Sequence, residues 1–363
     1  MEVFFEILLL VFMLYGFFIL WITFGHFRIK EFSFEPNTPQ HTFTIVVPFR
    51  NEKKNLPTLL SSFSKLNYPK ELFEVILVDD NSNDNYLISK VWFDISIIPN
   101  RRKSDAPKKD AINSAVQKAK FDWIITTDAD CEVPENWLSV LDGFIQKNSQ
   151  AKMVCGMVFS KDESNFLSRF QLLDFISLQS ATIGTFGIGK PFMCNGANFA
   201  YKKEFFEELN GFSGNENIAS GDDVFLLQKA IKNHSKHVFY LKSEEFVVLT
   251  NPVSSWKELF FQRVRWASKT KAYKSNFAKL LAVVVLLGNL GFVLSVAGLF
   301  VSWSFLWFIG CKLLVDFIVL IQSKKINPIL FLLSGFIYPF FSFFVGLYVL
   351  FNRKYIWKDR VVI

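Results

Sequence analysis

Four long apolar stretches constrain this chain more than any other feature. They run over residues 3–24, 279–301, 304–322 and 328–351. Each approaches the ~20 residues a helix needs to cross the hydrocarbon core of a bilayer. They also account for a greasy composition, 51% hydrophobic with 44 Phe. Residues 41–277 between them have the composition of a water-soluble domain, long enough for one large core.

The first stretch starts Met1-Glu2, without the basic lead of a signal peptide, and no small-residue cleavage site follows it. Arg28 and Lys30 come directly after it instead. Because basic residues mark the cytoplasmic side of a span, this predicts an uncleaved anchor over 1–27. The expected protein is multi-pass in the cytoplasmic membrane, with residues 28–277 in the cytoplasm. Three full spans within 278–351 would leave Asn352-Arg353-Lys354 outside, against the same rule. A re-entrant hairpin broken at Pro339 would instead return the basic tail 352–363 to the cytoplasm. Both topologies stay open.

Cys131, Cys155, Cys194 and Cys311 form no CxxC pair, which fits a reducing compartment and no structural zinc. His234 and His237 lie in the polar run Lys232-Asn233-His234-Ser235-Lys236-His237, the pattern of a solvated helix end rather than a metal pair. The net charge of +7 reads as lysines meeting anionic lipid, not as a nucleic-acid surface.

The soluble stretch alternates strands and helices. Thr42 to Pro48 is a β-branched run, and Leu56 to Leu66 is helical and ended by Tyr68-Pro69. Phe73 to Val78 is a second strand, Ile95 to Ile98 a third, Lys108 to Ala119 a helix and Trp123 to Thr127 another strand. Pro134 suits the first turn of a helix that runs to about Gln146. Such alternation predicts an α/β fold with a mostly parallel sheet covered by helices. Met153 to Phe159 reads as one more strand and Phe166 to Ser180 as a helix. Ile183 to Gly196 reads as a glycine-rich loop that approaches a ligand or another backbone closely. Ser255 to Lys274, with six basic residues and one acidic, reads as an amphipathic helix for the membrane interface. A core helix with a basic outer face is its competitor.

Three acidic pairs stand out. Asp79-Asp80 and Asp128-Ala129-Asp130 each end an apolar strand, and Asp222-Asp223 follows Gly221. Two carboxylates leaving one buried strand cannot both face the core. Oxygen ligands on a short acidic turn suit Mg²⁺ or Mn²⁺ bridging to phosphate, and open α/β sheets bind ligands at the carboxyl ends of their strands.

In order, the chain contains Val47-Pro48-Phe49-Arg50-Asn51-Glu52, Val78-Asp79-Asp80-Asn81-Ser82, Asp128-Ala129-Asp130, Asn195-Gly196-Ala197-Asn198, Gly221-Asp222-Asp223 and Gln262-Arg263-Val264-Arg265-Trp266. This series resembles the membrane-bound family 2 glycosyltransferases of GT-A fold, the group of cellulose, chitin and hyaluronan synthases and ceramide glucosyltransferase. The resemblance covers residues 41–270. It implies a cytoplasmic GT-A domain over 41–254, an interface helix carrying a QxxRW motif over 255–277, and flanking transmembrane helices.

The resemblance also implies roles. Pro48, Arg50, Glu52, Asp79 and Asp80 would hold the uridine and ribose of a UDP-sugar, with Lys108 among the donor contacts. Asp130 would hold the Mg²⁺ or Mn²⁺, with Asp128 beside it near the sugar and diphosphate. Asp223 would be the general base, and Asp222 is its rival one residue away. Asn195, Gly196, Ala197 and Asn198 would face the acceptor, and Gln262, Arg265 and Trp266 would cover the diphosphate and the acceptor entrance. The chain departs from the pattern in having Gly-Asp-Asp before the base and Phe49-Arg50 before Asn51-Glu52. A leaving diphosphate calls for cationic stabilisation, and an attacking hydroxyl calls for a base.

The resulting expectation is an inverting, metal-dependent transferase acting on a lipid or lipid-linked acceptor among membrane lipids. A processive polysaccharide synthase is the alternative, and an inactive scaffold of the same fold is a third. A transporter would need ionisable groups inside the spans. Lys312 and Asp316, four apart on one helix face, read instead as a structural ion pair.

Overall fold

The computed structural model describes residues 2–88, 90–161, 165–320, 328–351, 355–357 and 360–362. The chain begins with helix α1 (Glu2–Arg28), strand β1 (Phe43–Phe49), α2 (Leu56–Ser64), β2 (Phe73–Asp79), β3 (Asp94–Pro99), α3 (Pro107–Lys118) and β4 (Trp123–Thr126). It continues with β5 (Cys131–Glu132), α4 (Trp137–Lys147), β6 (Met153–Gly156), β7 (Val158–Ser160), α5 (Phe166–Gly187), β8 (Phe199–Lys202) and α6 (Lys203–Glu208). Then come α7 (Asp222–His234), β9 (Val238–Leu241), β10 (Val248–Thr250), α8 (Trp256–Ser268), α9 (Asn276–Gly298), α10 (Leu306–Leu320) and α11 (Pro328–Phe351). A hairpin of β11 (Tyr355–Trp357) and β12 (Arg360–Val362) follows.

These elements form two compact units, one of residues 30–161 and 193–251, the other of 1–29, 162–192 and 252–363. The first unit is built on a seven-stranded sheet of order β3-β2-β1-β4-β8-β6-β9, with a smaller sheet of β5, β10 and β7. In the larger sheet β1, β2, β3 and β4 run parallel and β8 opposes its neighbours β4 and β6. This is the expected α/β fold with a parallel-dominated sheet. Strands covered on both faces read as continuous apolar runs, and Phe43, Ile45, Val46 and Val47 are all fully buried. Burying each such side chain contributes about 1.5–3 kcal/mol.

One expected strand breaks in two. Met153 to Phe159 reads as continuous, yet β6 stays in the large sheet while β7 joins the small one. Gly156 sits at the break. A Cβ there would collide with the side chains of Asn198 and Phe246, so the sheet parts where those two residues wedge in.

The second unit is helical. Helices Glu2–Arg28, Asn276–Gly298, Trp303–Leu320 and Phe331–Phe351 are long and apolar enough to cross a membrane. Leu8 and Phe12 of α1 pack with Phe305 and Phe308, and Val264 of α8 packs with Val345 and Val349 of α11. Helix α8 thus has a core-facing side.

Two expectations are corrected here. Pro339 does not break its stretch into a re-entrant hairpin, because α11 runs on through it. An apolar helix tolerates a proline where neighbouring groups compensate the lost backbone bond. The glycine-rich loop expected from Ile183 is helical as far as Gly187. A Cβ on Gly184 would strike the carbonyl of Ile22, and one on Gly187 the carbonyl of Gly25. The close backbone approach that glycine permits is therefore a crossing of α1 and α5. Within the expected basic tail, Asn352, Arg353, Lys354, Lys358 and Asp359 lie outside the described residues.

Candidate active site

Because β1, β2 and β4 are parallel, their carboxyl ends share one edge of the sheet. Phe49 is in register with Asp79, so the segments that follow them meet. The Asp80 amide donates to Phe49 O at 2.9 Å. Arg50 Nη1 donates to the carbonyls of Asp80 (2.9 Å) and Asn81 (3.2 Å). Asn51 and Asn81 both take left-handed φ, 55° and 57°, which asparagine tolerates better than most residues. The turns are tied together by Asn51 N–H to Ser82 Oγ (3.0 Å) and Asn83 N–H to Asn51 Oδ1 (2.9 Å). Pro48 lies past the last β1–β4 register pair, Val46 with Thr126. Glu52 accepts from Asn55 Nδ2 at 2.6 Å.

The two carboxylates of the second strand end differ. Asp79 accepts from Ser82 N–H at 2.9 Å and Tyr86 Oη at 3.2 Å. Burial and the Asp79 charge push the Tyr86 phenol above its ordinary value. Asp80 is buried and receives Asn100 Nδ2 at 2.8 Å and Arg102 Nη1 at 2.9 Å. Arg102 and Asn100 were not among the expected site residues. Their signal was the basic run after the Ile95 to Ile98 strand, Asn100-Arg101-Arg102-Lys103.

The third strand end joins the start of two helices. Lys108, in the first turn of α3, donates from Nζ to Asp128 Oδ1 at 2.6 Å and lies 3.4 Å from Asp222 Oδ2. Gly221, at φ 86°, turns the chain into α7, and Asp222 and Asp223 open that helix, where its dipole favours negative charge. Asp223 Oδ2 accepts from Gly196 N–H at 3.0 Å and Oδ1 from Val224 N–H at 2.7 Å. The Gly196 carbonyl accepts from Thr126 Oγ1 at 2.6 Å. A Cβ on Gly196 would sit 2.9 Å from Asp222 Oδ2 and 3.4 Å from Lys108 Nζ, so a larger residue there would push the Asp222 carboxylate aside. Burial alone would lower the Lys108 pKa, but Asp128, Asp222 and Asp223 outweigh it and hold the ammonium charged well above its usual range. Asp130 neighbours Cys131, whose thiol is pushed up by burial and by the charges of Asp130 and Asp128.

The structure thus brings Lys108, Asp128, Gly196, Asp222 and Asp223 into one cluster, and Arg50, Asp79 and Asp80 into another. Asn195 caps its own turn, accepting from Ala197 N–H at 3.0 Å, and Ala197 is buried. Asn198 is fully buried. Its amide donates to Met157 O (3.0 Å) and Phe246 O (2.7 Å) and accepts from Trp137 Nε1 (3.0 Å). That side chain braces the two sheets together and presents no surface to an acceptor, contrary to the role the resemblance implied for it.

Gln262, Arg265 and Trp266 belong to the helical unit. The buried arginine there is Arg263, which donates to Asp174 Oδ2 at 2.5 Å and lies 4.1 Å over the Trp266 ring. It also donates to Gln262 Oε1, while Arg265 is half-buried. Neither Arg263 nor Asp174 was expected as a partner, because nothing in their spacing of 89 residues announces the pair.

The sequence profile described as glycosyl transferase family 2 matches residues 44–210. Those residues belong to glycosyl transferase family 2. The chain is 26% identical over 278 residues to the probable glycosyltransferase YdaM of Bacillus subtilis (strain 168), an alignment that covers 72% of this chain and 63% of that protein. It is 22% identical over 230 residues to the poly-beta-1,6-N-acetyl-D-glucosamine synthase of Staphylococcus epidermidis, covering 60% of this chain and 52% of that one. It therefore spans less than two thirds of the length of these relatives. Among solved structures, the mannosyltransferase PcManGT from Pyrobaculum calidifontis, in complex with GDP-Man and Mn²⁺, superposes with a TM-score of 0.61 at 15% identity. That superposition covers 97% of this chain and 99% of the other. The fold is that of the GT-A transferases.

Proposed function

We propose that this chain transfers a sugar, with inversion, from a UDP-sugar to a lipid or lipid-linked acceptor at a membrane. The observation that carries the reading is the cluster of Lys108, Asp128, Asp222 and Asp223 closed around Gly196. Lys108 faces several carboxylates at the edge of a parallel sheet, inside the region that matches family 2. Among the described residues, four helices long and apolar enough to cross a membrane support the membrane location, and cytoplasmic supply of nucleotide sugars supports a cytoplasmic sheet unit.

In this reading the acceptor oxygen attacks C1 of the sugar, the C1–O bond to the diphosphate breaks, and the acceptor proton passes to Asp223. One displacement inverts the anomeric centre. Arg50, Asp79 and Asp80 shape the nucleoside side of the site. Lys108 supplies positive charge near the leaving diphosphate, a group stabilised by pre-placed donors. The donor set fits a divalent cation. Mg²⁺ and Mn²⁺ bind through one or two carboxylates completed by substrate phosphates, and Asp128, with 39% of its side chain exposed, and Asp130 are two such groups. Bound there, the ion would offset diphosphate charge. The relative named as a poly-beta-1,6-N-acetyl-D-glucosamine synthase supports a second reading, repeated transfer that builds a polysaccharide.

The test is a panel of UDP-sugars with GDP-mannose, incubated with the purified full-length protein in detergent, with and without Mn²⁺, reading nucleotide release and product size. One UDP-sugar should be turned over, and short products would favour the lipid acceptor over the polymer. Asp130→Ala should abolish turnover and remove the Mn²⁺ dependence of UDP binding in calorimetry. Failure of every donor, or undiminished metal-dependent binding in the variant, would sink the reading.

A further inference from the structure

The end of β4 carries a hydroxyl where its surroundings are hydrocarbon. Ile124 and Ile125 precede Thr126 on the strand, and Val46 is its register partner on β1. Thr126 is 2% exposed. A hydroxyl taken that far from water costs stability unless it is hydrogen-bonded, so the destination of its proton is informative. Oγ1 lies 2.6 Å from Gly196 O and 3.3 Å from Phe199 O. A hydroxyl has one proton to give, and the shorter contact takes it.

The amide of the same glycine donates to Asp223 Oδ2 at 3.0 Å. A path therefore runs from the Thr126 hydroxyl to the Gly196 carbonyl, and from the Gly196 N–H to the Asp223 carboxylate. It passes through the residue type least able to hold its own conformation. Glycine lacks the Cβ that restricts φ and ψ, yet a larger residue at 196 would press on Asp222. The flanking turn has bonds of its own. Asn195 Oδ1 accepts from Ala197 N–H at 3.0 Å, and Asn195 O accepts from Asn198 N–H at 3.1 Å. The Thr126 hydroxyl pins Gly196 itself. Asp223 Oδ1 accepts from Val224 N–H at 2.7 Å, which ties the carboxylate to its own helix. The Gly196 bond ties it to the sheet.

We propose that Thr126 is a positioning residue for the base: its hydroxyl fixes the backbone of Gly196, and Gly196 aims the Asp223 carboxylate. The catalytic role of Asp223 rests on the transferase reading above; the link through Gly196 does not. Thr126 is buried and acts through Gly196, not on the substrate. Donor binding stays with Arg50, Asp79, Asp80 and Lys108, so loss of the hydroxyl falls on kcat and spares donor affinity.

The experiment compares full-length Thr126→Val, which keeps the shape and removes the hydroxyl, with Thr126→Ser, which keeps the hydroxyl. UDP release is measured with whichever donor of the panel above the parent turns over. Thr126→Val should lower kcat by about 10- to 100-fold, the scale of a misplaced catalytic group. Its donor KM, UDP affinity and melting temperature should stay close to the parent's, and Thr126→Ser should restore most of the rate. A valine variant as fast as the parent, or a serine variant as slow as the valine one, overturns the proposal. So does a valine variant that loses UDP binding or melting temperature along with rate, since the hydroxyl would then be structural.

A second measurement needs no turnover. In protein labelled with ¹⁵N at glycine, the Gly196 amide is the signal lost in Gly196→Ala. Its bond to a carboxylate should place it downfield. Asp223→Asn and Thr126→Val should both move it upfield, and Thr126→Ser should leave it in place. An amide unmoved by Asp223→Asn overturns the link even where the valine variant fails to fold. A parent that turns over no donor, with the amide responding as stated, overturns the transferase reading alone. An active parent with an unresponsive amide overturns this proposal alone.

Discussion

The Lys108 cluster of the sheet unit and the ion pairs of the helical unit treat charge differently. In the sheet unit one ammonium, Lys108, is shared by Asp128 and Asp222, with Asp223 alongside. In the helical unit Asp174 has Arg263 and Asp316 has Lys312. A buried ion pair must be balanced, because an uncompensated charge in a low-dielectric interior is costly. A site that awaits a cationic or polar reactant can stay unbalanced where water reaches it. In the proposed reading the shared ammonium serves the chemistry, and the one-to-one pairs of the helical unit serve its architecture.

The sharpest way to break this contrast is to remove charge from each side. Asp223→Asn should lower kcat by about 10²–10⁴-fold with the melting temperature and UDP affinity little changed. Asp222→Asn, run beside it under saturating donor, tests the assignment: an inactive Asp222 variant with an active Asp223 variant would move the base one residue back. Arg263→Met should do the opposite kind of damage. Leaving Asp174 buried without its cation costs about 3–5 kcal/mol of stability, read as a drop in thermal unfolding in detergent. Joint replacement of Asp174 by Leu and Arg263 by Met should recover most of that loss. A single variant as stable as the parent would show that the pair is not structural.

The smallest expected effect is in pH. The folded pKa of Lys108 is raised, chiefly by Asp128 and then Asp222 against its burial. A raised cationic pKa stabilises fully below the unfolded value, ~10.4 for lysine, and the benefit fades only as pH climbs through the folded value. The difference in melting temperature between the parent and Lys108→Met should therefore stay flat from about pH 6 to 9. Convergence of the two within that window would mean that the ammonium is not held by those carboxylates.

Much of the sheet was legible because parallel strands are written as unbroken apolar runs, and the acidic turns follow them directly in sequence. The cluster was legible only in parts. Asp128 and Asp223 announce themselves, but the crowding of Gly196 by Asp222 and Lys108 arises in space, a relation with no local spacing. Asn198 misled for a related reason: beside a glycine in a motif it reads as a surface group, whereas Trp137, Met157 and Phe246 enclose it. Gly184 and Gly187 carry the residue type of a loop, and only the passage of α1 beside them makes them helical necessities.

The position of α5 between β7 and β8 sets an order on biosynthesis. β8 is the strand that sits between β4 and β6, yet it is made after both of them, with α5 in between. From the end of β7 at Ser160 to the start of β8 at Phe199, a ribosome adding about 5–20 residues per second takes roughly 2–8 s. Through that interval β4 lacks its neighbour β8, and β6 lacks both of its neighbours, β8 and β9. The sheet cannot close until a helix belonging to the other unit has been synthesised. A version trimmed to its sheet by cutting only at the two ends would keep that helix without its partners. A clean excision must also bridge Lys161 to Met193 with a short linker.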